Sequence, residues 1–124
     1  MKVAAYCRVS TDQEDQKNSL KNQKKYFQEY ISRETGWEFT RIYYDEGISG
    51  TQTRRRKGFL EMIKEGQEGT FQLVLTKEVS RFARNTVDAL FYTRKLKEWG
   101  IGVLFTLDHI DTREQDGELR LTLM

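Results

Sequence analysis

An arginine and a serine stand two residues apart near the start of the chain, where an apolar run gives way to polar residues. The stretch AAYCRVSTDQ, residues 4–13, includes most of the apolar run Val3–Cys7, which predicts a buried strand. Alternate residues of a strand point to the same face, so Tyr6, Arg8 and Ser10 are predicted to line up together. A hydroxyl beside a guanidinium at a strand end is a candidate catalytic pair.

Further arginines follow later apolar segments. Arg81 and Arg84 stand three apart in SRFAR, and Arg56 lies in TRRRK, residues 53–57, beside a loop rich in Gly, Ser and Thr. A guanidinium binds phosphate oxygens through two parallel hydrogen bonds. Phosphoryl transfer depends largely on positioning and on neutralising charge on the non-bridging oxygens. A serine among several arginines is therefore suited to attack a phosphodiester rather than a carbonyl.

Each of these residues has a plainer interpretation when it is taken alone. A single arginine is more often a surface ion-pair partner, and a run such as TRRRK is more often a solvated basic turn. Ser10 alone is more typical of a turn or helix-capping residue. Cys7 is most simply a small buried apolar residue. The hypothesis of a catalytic site depends on the joint placement of these groups.

Several other chemistries find no support in the sequence. Ser10 is not surrounded by the G-x-S-x-G motif of α/β-hydrolases, and the single histidine, His109, is more typical of a solvated or structural residue than of a triad base. The phosphate-binding motif G-x-x-x-x-G-K-[ST] does not occur. One Cys, one His and scattered acids form no recognisable metal-ligand spacing.

Length and composition predict one compact domain. The chain has 124 residues, of which 37% are hydrophobic and 32% charged, with a formal net charge of only +2. That charge alone does not establish a nucleic-acid partner. No apolar run reaches membrane-spanning length, and no signal-peptide pattern follows Met1. A single cysteine excludes an internal disulfide and favours a reducing, cytoplasmic setting.

Strands alternate with helices along the chain, which predicts an α/β domain with a largely parallel sheet between helices. The predicted strands are Val3–Val9, Glu38–Tyr44, Phe71–Thr76 and Gly102–Thr106, and the predicted helices are Gln16–Arg33, Gly58–Lys64 and Thr86–Trp99. Asn85 is a plausible start and Gly100 a plausible stop for the last of these helices. Ligand sites of open parallel sheets lie beyond the carboxyl ends of the strands. The polar residues that end each strand, Ser10 among them, should therefore converge at one edge.

Two more polar residues are candidates for this site. Gln23 falls on the apolar stripe of the first helix, where its amide needs hydrogen-bond partners. It either satisfies nearby backbone groups or reaches toward the site. Asp45 ends the second strand, where it could also simply open a turn before Gly47. The polar, glycine-containing segment 46–57 is predicted to be disordered in the isolated domain.

Four motifs, in order, resemble the catalytic domain of serine site-specific recombinases. They are YCRVSTDQ, NSLKNQ, YYDEGISGTQTRRRKGFLEMI and VSRFARN, and the resemblance extends from about Val3 to the end of the chain. The family comprises the resolvase and invertase proteins and their larger integrase and transposase relatives. The resemblance implies a three-layer, resolvase-like α/β domain whose central sheet has four to five mostly parallel strands flanked by helices.

The resemblance also implies roles for individual residues. Ser10 matches the nucleophile that attacks a DNA phosphate and forms a 5′-phosphoseryl link, without a metal or nucleotide cofactor. The matching active-site residues are Arg8, Arg81, Arg84 and Arg56, with Gln23 and Asp45 in support. Arg54, Arg55 and Lys57 are candidate DNA contacts. Ser80 departs from the aspartate that many relatives carry there, which puts that aspartate's role in this chain in doubt.

The final residues, DGELRLTLM, look like a helix start, although their alternating leucines also fit a strand. The resemblance implies a catalytic domain over 1–115 and, over 116–124, the start of a long oligomerisation helix, with the DNA-binding region outside the chain. It implies double-stranded DNA at a specific site as partner, and homodimers and tetramers of the full-length protein, which we expect to come from a bacterium, a phage or a mobile element. We expect this segment alone to be monomeric or weakly associating.

Three alternatives remain open at this level. We expect a large integrase or transposase type, and a small resolvase or invertase is the nearest alternative. A non-catalytic module of the same fold that binds DNA or phosphate is a second possibility. A hydrolytic, phosphatase-like enzyme on the same scaffold is the third.

Overall fold

A computed structural model describes residues 1–10, 14–46 and 56–124 and contains a five-stranded sheet. The strand order is β2-β1-β3-β4-β5; the first four strands are parallel, and β5 is antiparallel to β4. The strands are β1 (Lys2–Val9), β2 (Glu38–Glu46), β3 (Leu73–Thr76), β4 (Gly102–Phe105) and β5 (Ile110–Asp111). This architecture confirms the predicted α/β class and the mostly parallel sheet.

Helices cover both faces of the sheet. They are α1 (Leu20–Ser32), α2 (Lys57–Gln67), α3 (Val79–Phe82), α4 (Thr86–Glu98) and α5 (Gly117–Thr122), and a 3-10 turn, Gln16–Asn18, precedes α1. The predicted ends of α4 are confirmed: the Asn85 side chain accepts a hydrogen bond of 2.8 Å from the Asp88 amide. Gly100 follows the helix with a φ of +77°, a conformation that glycine adopts freely. None of the described helices is long and apolar enough to cross a membrane.

The alternation of β1 divides the core into two layers, one on each face of the sheet. Val3, Ala5, Cys7 and Val9 face α1, where they pack with Phe27 and Ile31. Ala4 and Tyr6 face the opposite layer. That layer contains buried residues of α2, α3, α4 and α5, including Phe59, Met62, Phe82, Leu96 and Leu121. The arrangement is the three-layer domain that the sequence predicts.

The structure departs from the predicted elements within the first helix and at two short elements, besides small shifts at the ends of others. The first predicted helix is interrupted at Ser19, whose side chain accepts a hydrogen bond from the Asn22 amide and starts α1 there. The four-residue α3 and the two-residue β5 were not predicted, because segments this short carry no periodic signal. The final segment forms the helix α5, in agreement with its predicted helix start, and it packs Leu121 into the core.

Candidate active site

The strand order predicts a ligand crevice between the ends of β1 and β3. From β1 the chain continues to β2 on one side of it, and then to β3 on the other, so the direction of strand addition reverses at β1. Crevices at such reversals, beyond the carboxyl ends of the strands, are the usual ligand sites of open parallel sheets. Ser10 directly follows β1, and Lys77 directly follows β3.

Backbone and amide hydrogen bonds hold the main chain of Ser10. Its amide donates to the Asn18 carbonyl oxygen at 2.9 Å. Gln23 is 3% exposed, and its Nε2 donates to the carbonyl oxygens of Arg8 at 2.9 Å and of Asn18 at 3.1 Å. Gln23 therefore satisfies two backbone carbonyls. One belongs to Arg8, two residues before Ser10, and the other belongs to Asn18, which also accepts from the Ser10 amide.

Asp15 contacts the Ser10 side chain, although the sequence analysis did not single it out. The Ser10 hydroxyl donates a hydrogen bond to the Asp15 carboxylate, and the positive charge of Arg81 lies close enough to act on it. Asn18 Nδ2 lies 3.2 Å from Oδ1 and 3.0 Å from Oδ2 of the same carboxylate. These contacts, chiefly the side-chain hydrogen bond from Asn18, lower the pKa of Asp15. An acid three residues before Asn18, at the start of a short helical turn, was the available sequence signal.

Arg81 is presented by α3, which Asp108 anchors. The Val79 amide donates to Oδ2 of Asp108 at 2.8 Å, so the turn after β4 fixes the start of this short helix. Arg81 is 38% exposed, and its Nε lies 3.9 Å from Oε1 of Glu78, at the outer limit of an ion pair. Ser80, next to it on α3, is exposed. The Arg81 guanidinium thus remains accessible to a ligand.

Lys77 adds a second positive group at the end of β3. Its Nζ lies 4.7 Å from the centre of the Tyr26 ring. Burial, and then the nearby positive charge of Lys17, lower the pKa of Lys77. Arg81 contributes to the same effect, so both Lys17 and Arg81 lie within electrostatic range of Lys77. An anionic ligand would relieve their mutual repulsion.

Asp45 connects β2 to the start of α2. Its Oδ1 accepts from the Gly58 amide at 2.8 Å, and its Oδ2 accepts from the Phe59 amide at 3.0 Å. The Tyr6 hydroxyl also donates to Oδ2, at 2.7 Å. A carboxylate at a helix start satisfies free amides and complements the positive end of the helix dipole. Asp45 therefore fixes the position of the helix that follows Arg56.

Arg56 is turned inward, toward the end of α3. Its guanidinium carbon lies 3.8 Å from the centre of the Phe59 ring, and Nη2 donates to the Phe82 carbonyl oxygen. Nη2 also lies 3.4 Å from the Tyr6 hydroxyl oxygen. Its buried Nε has no hydrogen-bond partner among the described residues. The guanidinium therefore belongs to the Asp45–Tyr6 network.

The remaining candidates that the structure describes are Arg8, Arg84 and Lys57. Arg8 is half-buried and stands opposite Asp45 in the register of β1 and β2. The Arg84 side chain is 59% exposed, with its Nε 3.6 Å from Oδ2 of Asp88. Lys57 is exposed at the first position of α2. Arg54, Arg55 and the remainder of the predicted disordered loop, residues 47–55, lie outside the described residues.

The structure thus brings the candidates into two adjoining groups at one edge of the sheet. Ser10, Gln23 and Arg81 belong to the first group, in which Asp15 and Asn18 link them. Asp45 and Arg56 belong to the second, through Tyr6. Arg56 connects the two groups because it contacts the carbonyl of Phe82, the residue after Arg81. Among residues 1–10, 14–46 and 56–124, no cluster of three or more His, Cys, Asp or Glu side chains could hold a metal ion.

Sequence comparison identifies the family. Residues 3–124 match the family model described as the resolvase N-terminal domain. The chain belongs to the resolvase family. It is 31% identical over 125 residues to the R46 site-specific recombinase of Escherichia coli, covering all of this chain and 58% of that protein. This resolvase domain therefore spans somewhat more than half the length of that relative.

Solved structures share the fold of this resolvase domain. The N-terminal catalytic domain of TP901-1 integrase matches with a TM-score of 0.84 and 28% identity, over 99% of this chain and 90% of that one. A resolvase family site-specific recombinase from Streptococcus pneumoniae matches with a TM-score of 0.79 and 28% identity, over 99% of this chain and 84% of that one. The expected family and three-layer fold are confirmed.

Proposed function

We propose that this resolvase domain catalyses site-specific DNA recombination with Ser10 as the nucleophile. The Ser10 oxygen attacks a DNA phosphodiester, forms a 5′-phosphoseryl ester and releases a 3′-hydroxyl; attack of a 3′-hydroxyl on that ester rejoins the strands. The supporting observation is the position of Ser10 at the β1/β3 crevice, where its hydroxyl contacts Asp15 within reach of the Arg81 charge. The ester conserves the phosphodiester energy, so the proposal requires no metal or nucleotide.

In this proposal the arginines bind and neutralise the scissile phosphate. Arg81 is accessible and its charge acts on Asp15, while Arg8 lies on β1 and Arg84 in the turn before α4. Arg56 would exchange the Phe82 carbonyl for phosphate oxygens. Its buried Nε, which has no partner among the described residues, supports such an exchange, because a phosphate would supply an acceptor.

The proposal extends to the full-length protein. Residues 1–115 form the catalytic domain, and 116–124 begin a longer helix through which dimers and tetramers assemble on double-stranded DNA. Arg54, Arg55 and Lys57 contact DNA near the site. We place the protein with the integrase type, which the likeness to the TP901-1 catalytic domain supports. The length of the complete gene distinguishes this assignment from a small resolvase, since a large member carries several hundred further residues.

A covalent-adduct assay tests the mechanism. The full-length protein is incubated with a nicked suicide substrate that carries its cognate site, and a protein–DNA adduct is expected that Ser10→Ala abolishes. Ser32→Ala is the matched control, because Ser32 lies at the end of α1 and its Oγ donates to the Glu29 carbonyl of the same helix. Equal adduct formation by Ser10→Ala and wild type would remove Ser10 from the mechanism.

The departure at position 80 has its own test. Ser80→Asp restores the residue that many relatives carry, on an exposed position of α3. Unchanged adduct formation would show that the position tolerates either residue. A changed rate would assign it a part in proton transfer or phosphate binding.

A further inference from the structure

The Asp15 carboxylate is a preoriented hydrogen-bond acceptor at the Ser10 hydroxyl. The hydroxyl donates to it. Asn18 holds both of its oxygens, with Nδ2 at 3.2 Å from Oδ1 and 3.0 Å from Oδ2, and the Asn18 amide lies 3.3 Å from Oδ1. Several donors that share one carboxylate restrict its rotation, so its orientation toward Ser10 is set before any substrate binds.

Asn18 also fixes the main chain of the nucleophile. Its carbonyl oxygen accepts from the Ser10 amide at 2.9 Å and from Gln23 Nε2 at 3.1 Å. The other Gln23 bond, to the Arg8 carbonyl at 2.9 Å, secures the strand before Ser10. The acceptor and the nucleophile are thus tied to one common residue. The fold, rather than a chance meeting of two surface side chains, determines their relative position.

We propose that Asp15 is a further catalytic residue, which accepts the Ser10 proton as the serine oxygen attacks a DNA phosphate. This inference rests on the proposed function. In cleavage the Oγ–P bond forms, the P–O3′ bond breaks, and the Oγ proton passes to the Asp15 carboxylate. The departing 3′ oxygen takes a proton from water, and the carboxylic acid returns its proton to the hydroxide so formed, so that charge and protons balance.

The surroundings keep Asp15 in its charged form. The charged group that acts on it from α3 is Arg81, and Arg81 and Lys17 both lie within electrostatic range of Lys77. The Asn18 side-chain hydrogen bond is the largest contribution that lowers the pKa of Asp15. The carboxylate is therefore ionised at neutral pH and can accept a proton. A scissile phosphate bound at Arg81 would draw positive charge away from Asp15 and make it a stronger base.

Single-turnover adduct formation by the full-length protein tests this role. Asp15→Asn is expected to lower the rate by about 10²–10⁴-fold at neutral pH, the usual contribution of general base catalysis. The remaining rate should rise with pH, because hydroxide must then remove the proton, whereas the wild-type rate stays flat over the same range. Asp15→Glu should restore part of the rate. Glu98→Gln removes one negative charge at the end of α4, just before the start of β4 and away from the site. Its rate of adduct formation should match that of wild type.

Several outcomes would overturn the inference. An Asp15→Asn protein with the wild-type rate and pH profile would do so, as would a slower one whose profile stays flat, since that indicates a structural role. A faster variant would mean that the carboxylate competes with the phosphate. A thermal unfolding midpoint close to that of wild type would confirm that Asp15→Asn folds. If Asp15→Asn does not fold, the rate and pH profile of Asp15→Glu are the test instead.

A second measurement is independent of DNA cleavage. The carboxyl carbon of Asp15 is titrated by NMR in this chain and in Ser10→Ala. Loss of the donated hydroxyl bond should raise the Asp15 pKa. An unchanged pKa would disprove the contact on which the inference depends. A wild-type protein that forms no adduct would instead refute the proposed function, while the titration still decides whether Ser10 and Asp15 interact.

Discussion

At the residue scale, Arg56 carries conflicting demands of stability and function. Its guanidinium packs over the Phe59 ring at 3.8 Å and donates to the Phe82 carbonyl, yet its buried Nε lacks a partner among the described residues. An unsatisfied buried donor costs free energy. Such a residue contributes less to the unliganded fold than its burial suggests, which is typical of a group retained for binding.

Arg56→Met should therefore separate stability from activity. Methionine keeps the apolar contact with Phe59 and removes the unsatisfied donor, so we expect the free energy of unfolding to change by less than about 1 kcal/mol. Adduct formation should fall by about 10²-fold or more, as on loss of a transition-state donor. Urea denaturation and the suicide-substrate assay measure the two quantities.

Arg41→Met is the control for this substitution. Arg41 also lies over a ring, 4.6 Å from the centre of Tyr43, but it pairs with Glu61 and Glu65 on the exposed surface of β2 and α2. Its replacement should leave adduct formation unchanged. A loss of several kcal/mol in Arg56→Met would instead assign Arg56 a structural role.

Cys7 gives a pH-dependent prediction at the same scale. Burial raises the pKa of its thiol from 9.0 to about 12. The folded state therefore holds the thiol proton over a range in which the unfolded chain releases it. The protonated thiol therefore contributes to the free energy of unfolding. This contribution is fully present below pH 9 and is lost as the pH rises from 9 toward 12, by up to about 1.4 kcal/mol per pH unit.

The measurement compares the free energies of unfolding of wild type and Cys7→Ala at several alkaline pH values. Tyrosine titrations are common to both proteins and cancel in the difference. At neutral pH the variant should be less stable, because alanine leaves a small cavity. The deficit should shrink as the pH rises above 9. A deficit that stays constant with pH would contradict a buried, protonated thiol.

At the element scale, the junction between β2 and α2 determines the geometry of the second group of site residues. Asp45, at the end of β2, accepts hydrogen bonds from the first amides of α2. The two elements approach closely at Gly58, where an added Cβ would lie 2.1 Å from the Tyr44 carbonyl oxygen. The absence of a side chain there permits both the close approach and the contact with Asp45.

Gly58→Ala should consequently destabilise the domain by about 2 kcal/mol or more, despite the higher helix propensity of alanine. Gly66→Ala in the same helix is the control. There the Cβ would meet side-chain rather than backbone atoms, Ile101 Cδ1 at 3.0 Å and Phe71 Cζ at 3.2 Å, so a smaller loss is expected. Chemical denaturation measures both. Equal losses would show that the approach of α2 to β2 is not the limiting contact.

The elements also show which features the sequence could predict. The limits of α4 followed from Asn85 and Gly100, because capping and left-handed turns are local properties of the chain. The start of α3 depends on Asp108, which is 29 residues from Val79 in the sequence. The inward turn of Arg56 likewise depends on the Phe82 carbonyl. Contacts between residues so far apart in the sequence leave no periodic pattern. The sequence could therefore predict that the site lies at the carboxyl ends of the strands, but not how its side chains are oriented.

At the scale of the whole molecule, charge is balanced overall but uneven locally. Twenty-one basic residues face nineteen acidic ones, a net charge of +2. Lys17, Glu78 and Arg81 all lie within electrostatic range of Lys77, and Arg81 also acts on Asp15. Such an arrangement suits one bound phosphate better than a long DNA backbone, since non-specific affinity grows with the number of phosphates that are neutralised.

The isolated chain should accordingly bind duplex DNA weakly. We expect a dissociation constant no tighter than roughly 10⁻⁶ M at physiological salt, the range of non-specific binding. Fluorescence anisotropy with a labelled duplex measures it for this chain and for the full-length protein on the same site. The full-length protein should bind far more tightly, because the proposed function places sequence-specific contacts outside residues 1–124. Nanomolar affinity of the isolated chain would mean that this domain itself recognises the site. That result would contradict the proposal that the sequence-specific contacts lie outside residues 1–124.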